Sequence, residues 1–467
     1  MAESRTFTGS LAATAVGVYL LVIAGATAAI TDAVTACTSW PLCRGPVTLS
    51  NPSLLIASGH RLTAAVVGVL ALVTVVLGLR AATRRRVKAA LLAGLALYPI
   101  QVALGAFVAT SGATGRLPGA HLAVGMAIFG VFVLALAWHL EAETGSDDEE
   151  PVDDLSPAPM PDESDGEDGS VPRAALSTRE RVLGTAYAYF RLMKPRLMWL
   201  LCLVAAAGMA LNAGQSLTVR TVLLTLGGGV LAIGASGTFN HVLERDIDKR
   251  MDRTADRPIA THQIPVRNAT TFGVALAAAA MALFWQVNVL AAALGLTAIL
   301  FYSVVYTLVL KPNTVQNTVI GGAAGALPAL IGWTAIDGTI GLAGLALAGV
   351  IFLWTPAHFY NLALAYKDDY EAGGFPMMPV VRGETETRKH IVYYLGATLI
   401  ASGILAALTS LGWVYALTSA TLGGVFLWAV VRLHREQTEE AAFRAFHASN
   451  AYLGLLLIAI VADALVL

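Results

Sequence analysis

Long apolar runs recur along the chain, among them "ATTFGVALAAAAMALF" from Ala269 and "LGLLLIAIVADALVL" at the C-terminal end. They lack the short alternating pattern of barrel strands, so each is predicted to cross a membrane as an α-helix, which satisfies its backbone polar groups internally. About thirteen such spans are expected, starting near Gly9, Asn51, Lys88, Pro118, Arg196, Val219, Ala269, Leu290, Thr314, Ile340, Ile391, Trp413 and Ala448. The first run has no small-residue cleavage pattern and reads as a retained helix, not a signal peptide.

The polar connections carry a second pattern. Lys and Arg crowd alternate ones: "RAATRRRVK", 173–196, 245–267, Lys311, 367–389 and 432–444. The positive-inside rule then puts the N-terminus in the cytoplasm, and an odd number of spans puts the C-terminus outside the cell membrane.

Composition agrees: 56% hydrophobic and 13% charged residues in 467 exclude a soluble fold and offer nothing for nucleic acid. The formal net charge of -1 hides an asymmetry, because residues 145–170 hold eleven of the 31 acidic residues and no basic one, interleaved with Pro, Ser and Gly. This stretch is predicted to be a disordered cytoplasmic linker. It divides the chain into a four-helix part, 1–140, a tether, 141–180, and a nine-helix part, 181–467.

The densest charge inside an apolar region is "NHVLERDIDKRMDRTADRP", 240–258. Asn240, Glu244 and Asp248 recur every four residues, so a helix continuing through them presents all three on nearly one face. Two carboxylates and an amide oxygen suit Mg²⁺, which takes oxygen ligands and is often shared with substrate phosphates. Arg250, Arg253 and Arg257 follow, and guanidinium groups beside a hard-metal site suit a diphosphate. A second block, "YKDDYEAGGFPMMP", adds Asp368, Asp369 and Lys367 on the same membrane face. Two acidic clusters with Mg²⁺ between them and a diphosphate would ionise an allylic diphosphate beneath an apolar shelter. The plainer alternative is a charged loop that anchors topology and pairs with itself.

The first block resembles the aspartate-rich motif of the UbiA-type intramembrane prenyltransferases. Together with "YTLVLKPNTVQNTVIGGAAGALPALIGWTA", "WTPAHFYNLAL" and "YKDDYEAGGFPMMP", it resembles the heme O synthase family within them. The resemblance covers about the last 290 residues and implies a nine-helix all-α prenyltransferase bundle. It implies Mg²⁺ on Asn240, Glu244, Asp248, Asp368 and Asp369, and a diphosphate held by Arg253, Arg257, Lys311 and Lys367. The substrates implied are farnesyl diphosphate and heme b, whose vinyl group would take the farnesyl. A quinone or lipid acceptor, a non-catalytic heme carrier and a transporter are the rival readings. His358 reads equally as a hydrogen-bonded core residue and as a heme contact or proton acceptor; His241 and His262 read as structural.

In the first part, His60 and His121 are each expected early in a helix entering from outside, so they should lie at one depth and suit axial ligation of a heme iron. Cys37 and Cys43, facing an oxidising compartment, are expected to form a disulfide, and Cys202 to be inert. "CTSWPLCRGP", "HRLTAAVVGVL", "YPIQVALGAFVA" and "HLAVGMAIF" resemble one half of heme A synthase, which implies a bound heme and a heme A synthase or terminal-oxidase assembly partner. Ala57 stands where that family has a glutamate.

Overall fold

The protein is described here by a computed structural model that covers residues 2–30, 33, 36–44, 47–48, 50–111, 116–145, 155–160, 177–213 and 216–465. Most of the linker expected at 141–180 lies outside the described residues. Among those that are described, all regular structure is helical, and thirteen helices are long and apolar enough to cross a membrane. Numbered by span, these are α1 (Ala2–Ile30), α2 (Pro52–Arg80), α3 (Arg85–Ser111), α4 (Leu117–Thr144), α5 (Pro195–Ala213), α6 (Val219–Leu243), α7 (Val266–Val287), α8 (Val289–Asn313), α9 (Asn317–Asp337), α10 (Leu342–Ala365), α11 (Glu384–Leu408), α12 (Trp413–Glu436) and α13 (Glu439–Leu465).

Ten of the spans start within five residues of the sequence expectation. The other three, α1, α11 and α13, begin earlier, because charged residues extend the helix out of the apolar run. α11 gains a first turn in which Lys389 bonds Glu386, and α13 opens on Glu439 and Glu440, acidic residues that suit the positive end of a helix dipole. A short helix, Thr178–Leu192, escaped the apolar pattern. It starts with a reciprocal capping box between Ser177 and Glu180, a signal legible as "STRE".

The described residues form two compact units that do not follow chain order. One gathers those of Met1–Asp148, Pro356–Asn361 and Thr385–Leu467. Within it, α1 packs on α2, α4 and α12. A buried polar chain ties four of its helices: Tyr19 hydroxyl to Ser419 Oγ at 2.5 Å, Tyr415 hydroxyl to the Ser402 carbonyl at 2.8 Å, and Ser402 Oγ to the Tyr452 hydroxyl at 2.8 Å.

The other unit gathers the described residues of Glu149–Thr355 and Leu362–Glu384. Its α5 and α9 approach backbone to backbone. A Cβ on Gly332 would lie 2.0 Å from the Ala205 carbonyl oxygen, and one on Gly208 would lie 2.4 Å from that of Ala329, so only glycine fits at either place. The middle of α8, Phe301–Leu310, is a π-helix: the Lys311 N–H donates to the Tyr306 carbonyl, five residues back. Linker residues also join this unit, since Ala158 N–H donates to the Ala372 carbonyl at 2.9 Å.

Candidate functional site

α6 ends at Leu243, and Glu244 stands at its break with φ -96 and ψ 4 before a short helical turn, Arg245–Asp248. The i,i+4 register nonetheless continues, because Glu244 N–H donates to the Asn240 carbonyl at 2.9 Å and Asp248 N–H to the Glu244 carbonyl at 2.8 Å. Asn240, Glu244 and Asp248 are 2%, 3% and 1% exposed, which for two carboxylates demands cationic partners.

Those partners are present. Lys311 Nζ donates to Glu244 Oε1 at 2.7 Å, and Arg257 Nη1 donates to both Asp248 oxygens at 2.7 and 2.8 Å while lying 3.8 Å from Glu244 Oε2. Burial alone would raise the Glu244 carboxyl, but Lys311, Lys194 and Arg257 outweigh it and hold it below the usual carboxylate value. At Asp248 burial wins over Arg257, and the carboxyl is raised.

Lys194 is the member that sequence reasoning missed. It stands at φ +55 between the Thr178–Leu192 helix and α5, and its Nζ donates to Asn240 Oδ1 and, at 3.2 Å, to the Tyr302 hydroxyl. Burial, then the charge of Arg257, pull its ammonium down to about 7. Asn240 is fixed from its other end, where Nδ2 donates to Thr307 Oγ1 of the π-helix at 3.1 Å. A basic residue just before Pro195 was the available signal, but only the fold brings it to Asn240.

The second acidic block is divided. Asp369 accepts the backbone N–H groups of Asp252 and Arg253 at 3.1 and 3.2 Å, and so holds the arginine-bearing loop. Arg253 lies over the rings of Tyr366 and Tyr370, 4.7 and 5.2 Å from their centroids, and donates to the Tyr370 hydroxyl. Asp368 is exposed, and Lys367 pairs with Glu384 at 3.3 Å. Lys311 also lies over the Phe375 ring at 4.0 Å.

Among the described residues no three His, Cys, Asp or Glu side chains gather at metal-binding spacing. Asn240, Glu244 and Asp248 are oxygen donors only, the set that suits Mg²⁺, and ammonium and guanidinium groups now supply the positive charge on those oxygens. Lys194, Arg257 and Lys311 bond the row directly, and Arg253 stands on the loop that Asp369 holds, so basic groups of the kind that bind an anionic ligand line the site.

In the other unit, His60 stands on α2 and His121 on α4. The Nδ1 atom of each is buried with no hydrogen-bond partner among the described residues, as are Gln101 Oε1 and Ser58 Oγ. The rings pack directly against Gly25 and Gly105: a Cβ there would lie 3.3 Å from His60 Cε1 and 3.0 Å from His121 Cε1. Cys37 and Cys43 are joined as a disulfide. Arg61 latches that loop by donating to the carbonyls of Cys37, Ser39 and Pro41 at 3.0, 2.7 and 3.2 Å. Cys202 is free and partly buried. His358 bonds Ser449 Oγ through Nδ1 at 2.7 Å and stacks on Phe446 at 4.4 Å.

Residues 200–455 match the UbiA prenyltransferase family. A protein named protoheme IX farnesyltransferase from Haloarcula marismortui is 77% identical over 467 residues, all of both chains. Another from Natronomonas pharaonis, protoheme IX farnesyltransferase 1, is 67% identical over 98% of each chain. A solved structure of digeranylgeranylglyceryl phosphate synthase aligns with a TM-score of 0.52 and 16% identity over 61% of this chain and 100% of its own, a likeness of fold.

Proposed function

The chain belongs to the UbiA prenyltransferase family, and on that premise we propose that it transfers the farnesyl group of farnesyl diphosphate to a vinyl group of heme b, giving heme o and pyrophosphate. The observation that carries this reading is the buried row Asn240, Glu244 and Asp248, clamped by Lys194, Lys311 and Arg257.

The allylic C–O bond breaks with its electron pair leaving on pyrophosphate. The vinyl π electrons then bond the allylic carbon, and water adds to the resulting cation and loses a proton, leaving a hydroxyethyl-farnesyl side chain. Mg²⁺ would be held by Asn240, Glu244 and Asp248, with Asp368 and Asp369 as the second carboxylate pair, and when bound it supplies positive charge to the departing pyrophosphate. Arg253, Arg257, Lys311 and Lys367 bind the diphosphate oxygens, and Lys194 joins them. Asp369 keeps the arginine loop in place through its two backbone contacts. The apolar spans shelter the prenyl chain and the cation from water.

In the four-helix part, His60 and His121 would hold a heme through their imidazoles. The unpartnered imidazole and amide atoms around them support this, and Ala57, where the related family has a glutamate, speaks against oxidation of that heme here. The distribution of Lys and Arg supports a cytoplasmic N-terminus and linker, and an external C-terminus.

The test is mass spectrometry of heme extracted after incubating the protein with heme b, farnesyl diphosphate and Mg²⁺, with Glu244→Ala alongside. A hydroxyethylfarnesyl heme that requires both Glu244 and Mg²⁺ is the expected product. Unchanged heme b, with farnesyl found on an added quinone or lipid acceptor, would overturn the choice of heme. No transfer to any acceptor by folded, heme-binding protein would favour a carrier.

A further inference from the structure

The connection between α6 and α7 also lines an open cavity of about 320 Å³ whose lining includes none of Asn240, Glu244, Asp248 and Arg257. That volume lies in the range of small-ligand sites. Arg245, Lys249 and His262 form its basic wall, Asp246 is its one acid, and buried Ile259 and Ile264 form its floor.

The basic wall is only lightly paired among the described residues. Arg245 reaches Asp246 at 3.4 Å, and that carboxylate is 66% exposed, so the contact is weak. Lys249 Nζ lies 3.3 Å from His262 Nε2, and His262 is held at φ +57, an uncommon backbone state for a residue with a side chain. Pro265 and Val266 also line the cavity. They begin the 22-residue α7, whose N-terminus has no side-chain cap, so its N–H groups and dipole add positive potential where Arg245 and Lys249 already supply it.

Position narrows the ligand. α6 ends at Leu243 and α7 begins at Val266, both exposed and apolar, and the basic connection between them is the kind expected at one membrane face. A cationic wall, an apolar floor and a rim at the membrane boundary match an amphiphile with a phosphate head. We propose that this cavity binds the phosphate of an anionic membrane-lipid headgroup, with Arg245, Lys249 and the start of α7 around the phosphate and Val266 against the first part of the chain. Free phosphate shares that head chemistry, and the experiment separates the two sources. The proposal does not depend on which acceptor the enzyme prenylates.

The full chain is purified in detergent with equal amounts of phosphatidylglycerol and phosphatidylcholine, and retained lipid is counted by native mass spectrometry. Wild type is expected to retain phosphatidylglycerol about tenfold over phosphatidylcholine, the scale set by one or two basic groups at a membrane surface. Arg245→Gln/Lys249→Gln should bring that ratio near one, while Arg245→Lys/Lys249→Arg should keep it. Val266→Glu is a second probe that does not weaken the fold, since an acidic residue suits a helix start; it should lower the ratio by repulsion. Retention that excess inorganic phosphate leaves unchanged identifies the lipid as the source. Displacement by phosphate, lost in the Gln variant, assigns the same cavity to free phosphate. Equal retention of both lipids by wild type, or a ratio unchanged in both the Gln variant and Val266→Glu, overturns the proposal.

Discussion

Lys311 and Glu244, 67 residues apart in sequence, meet at 2.7 Å with both side chains almost wholly buried. Removing Lys311 takes the nearest partner from Glu244 and leaves Arg257 at 3.8 Å, so Lys311→Met should cost about 3 kcal/mol of stability, the low end for a broken buried pair. Lys311→Met/Glu244→Gln should recover most of that loss in a thermal melt yet stay inactive in the heme assay. Recovery of turnover by the double variant would show the pair to be structural only.

Chelation should stop farnesyl transfer, and added Mg²⁺ should restore it. Glu244→Ala should remain about 10²–10³-fold slower at any Mg²⁺ concentration, the scale expected when a group stabilising the departing charge is lost. Transfer that survives chelation would rule out the metal assignment.

Asp369 and Asp368 should separate cleanly. Asp369→Ala removes the acceptor of two backbone N–H groups and should open the arginine loop to trypsin at Arg253 and Arg257, whereas Asp368→Asn should leave the loop protected. If Asp368→Asn abolishes turnover with the loop intact, it is the metal ligand of the pair.

Lys194 holds a left-handed backbone that glycine adopts freely, so Lys194→Gly should melt no lower than wild type apart from the lost contacts to Asn240 and Tyr302. The KM for farnesyl diphosphate should rise about tenfold, as for one lost charged contact. An unchanged KM would confine Lys194 to positioning Asn240.

His60→Ala and His121→Ala should each abolish the low-spin heme absorption of the purified protein while leaving farnesyl transfer measurable. A spectrum unchanged in both variants would rule out axial ligation by this pair.

Much of this was legible in sequence because it rests on local periodicity. Apolar runs locate spans wherever no charged turn extends them, as it does before Ile391 and Ala448, and a four-residue spacing keeps Asn240, Glu244 and Asp248 in one row even across a helix break. The rest depends on contacts distant in sequence. Nothing near Lys194 marks it as a partner of Asn240, the neighbouring pair Asp368 and Asp369 cannot be told apart without the loop they face, and the association of α1 with α12 has no local signature. Arg61 was passed over because its acceptors are main-chain carbonyls, which any sequence contains.

The π-helical stretch Phe301–Leu310 joins Tyr302 and Thr307, which face Lys194 and Asn240, to Lys311, which faces Glu244. In an ordinary α-helix each residue turns the axis by about 100°. Deleting one residue here would relax the stretch toward α-geometry and swing the two ends out of phase, taking either the tyrosine and threonine or the lysine off its partner. Between Leu300 and Lys311 this span therefore tolerates a change of side chain far better than a change of length.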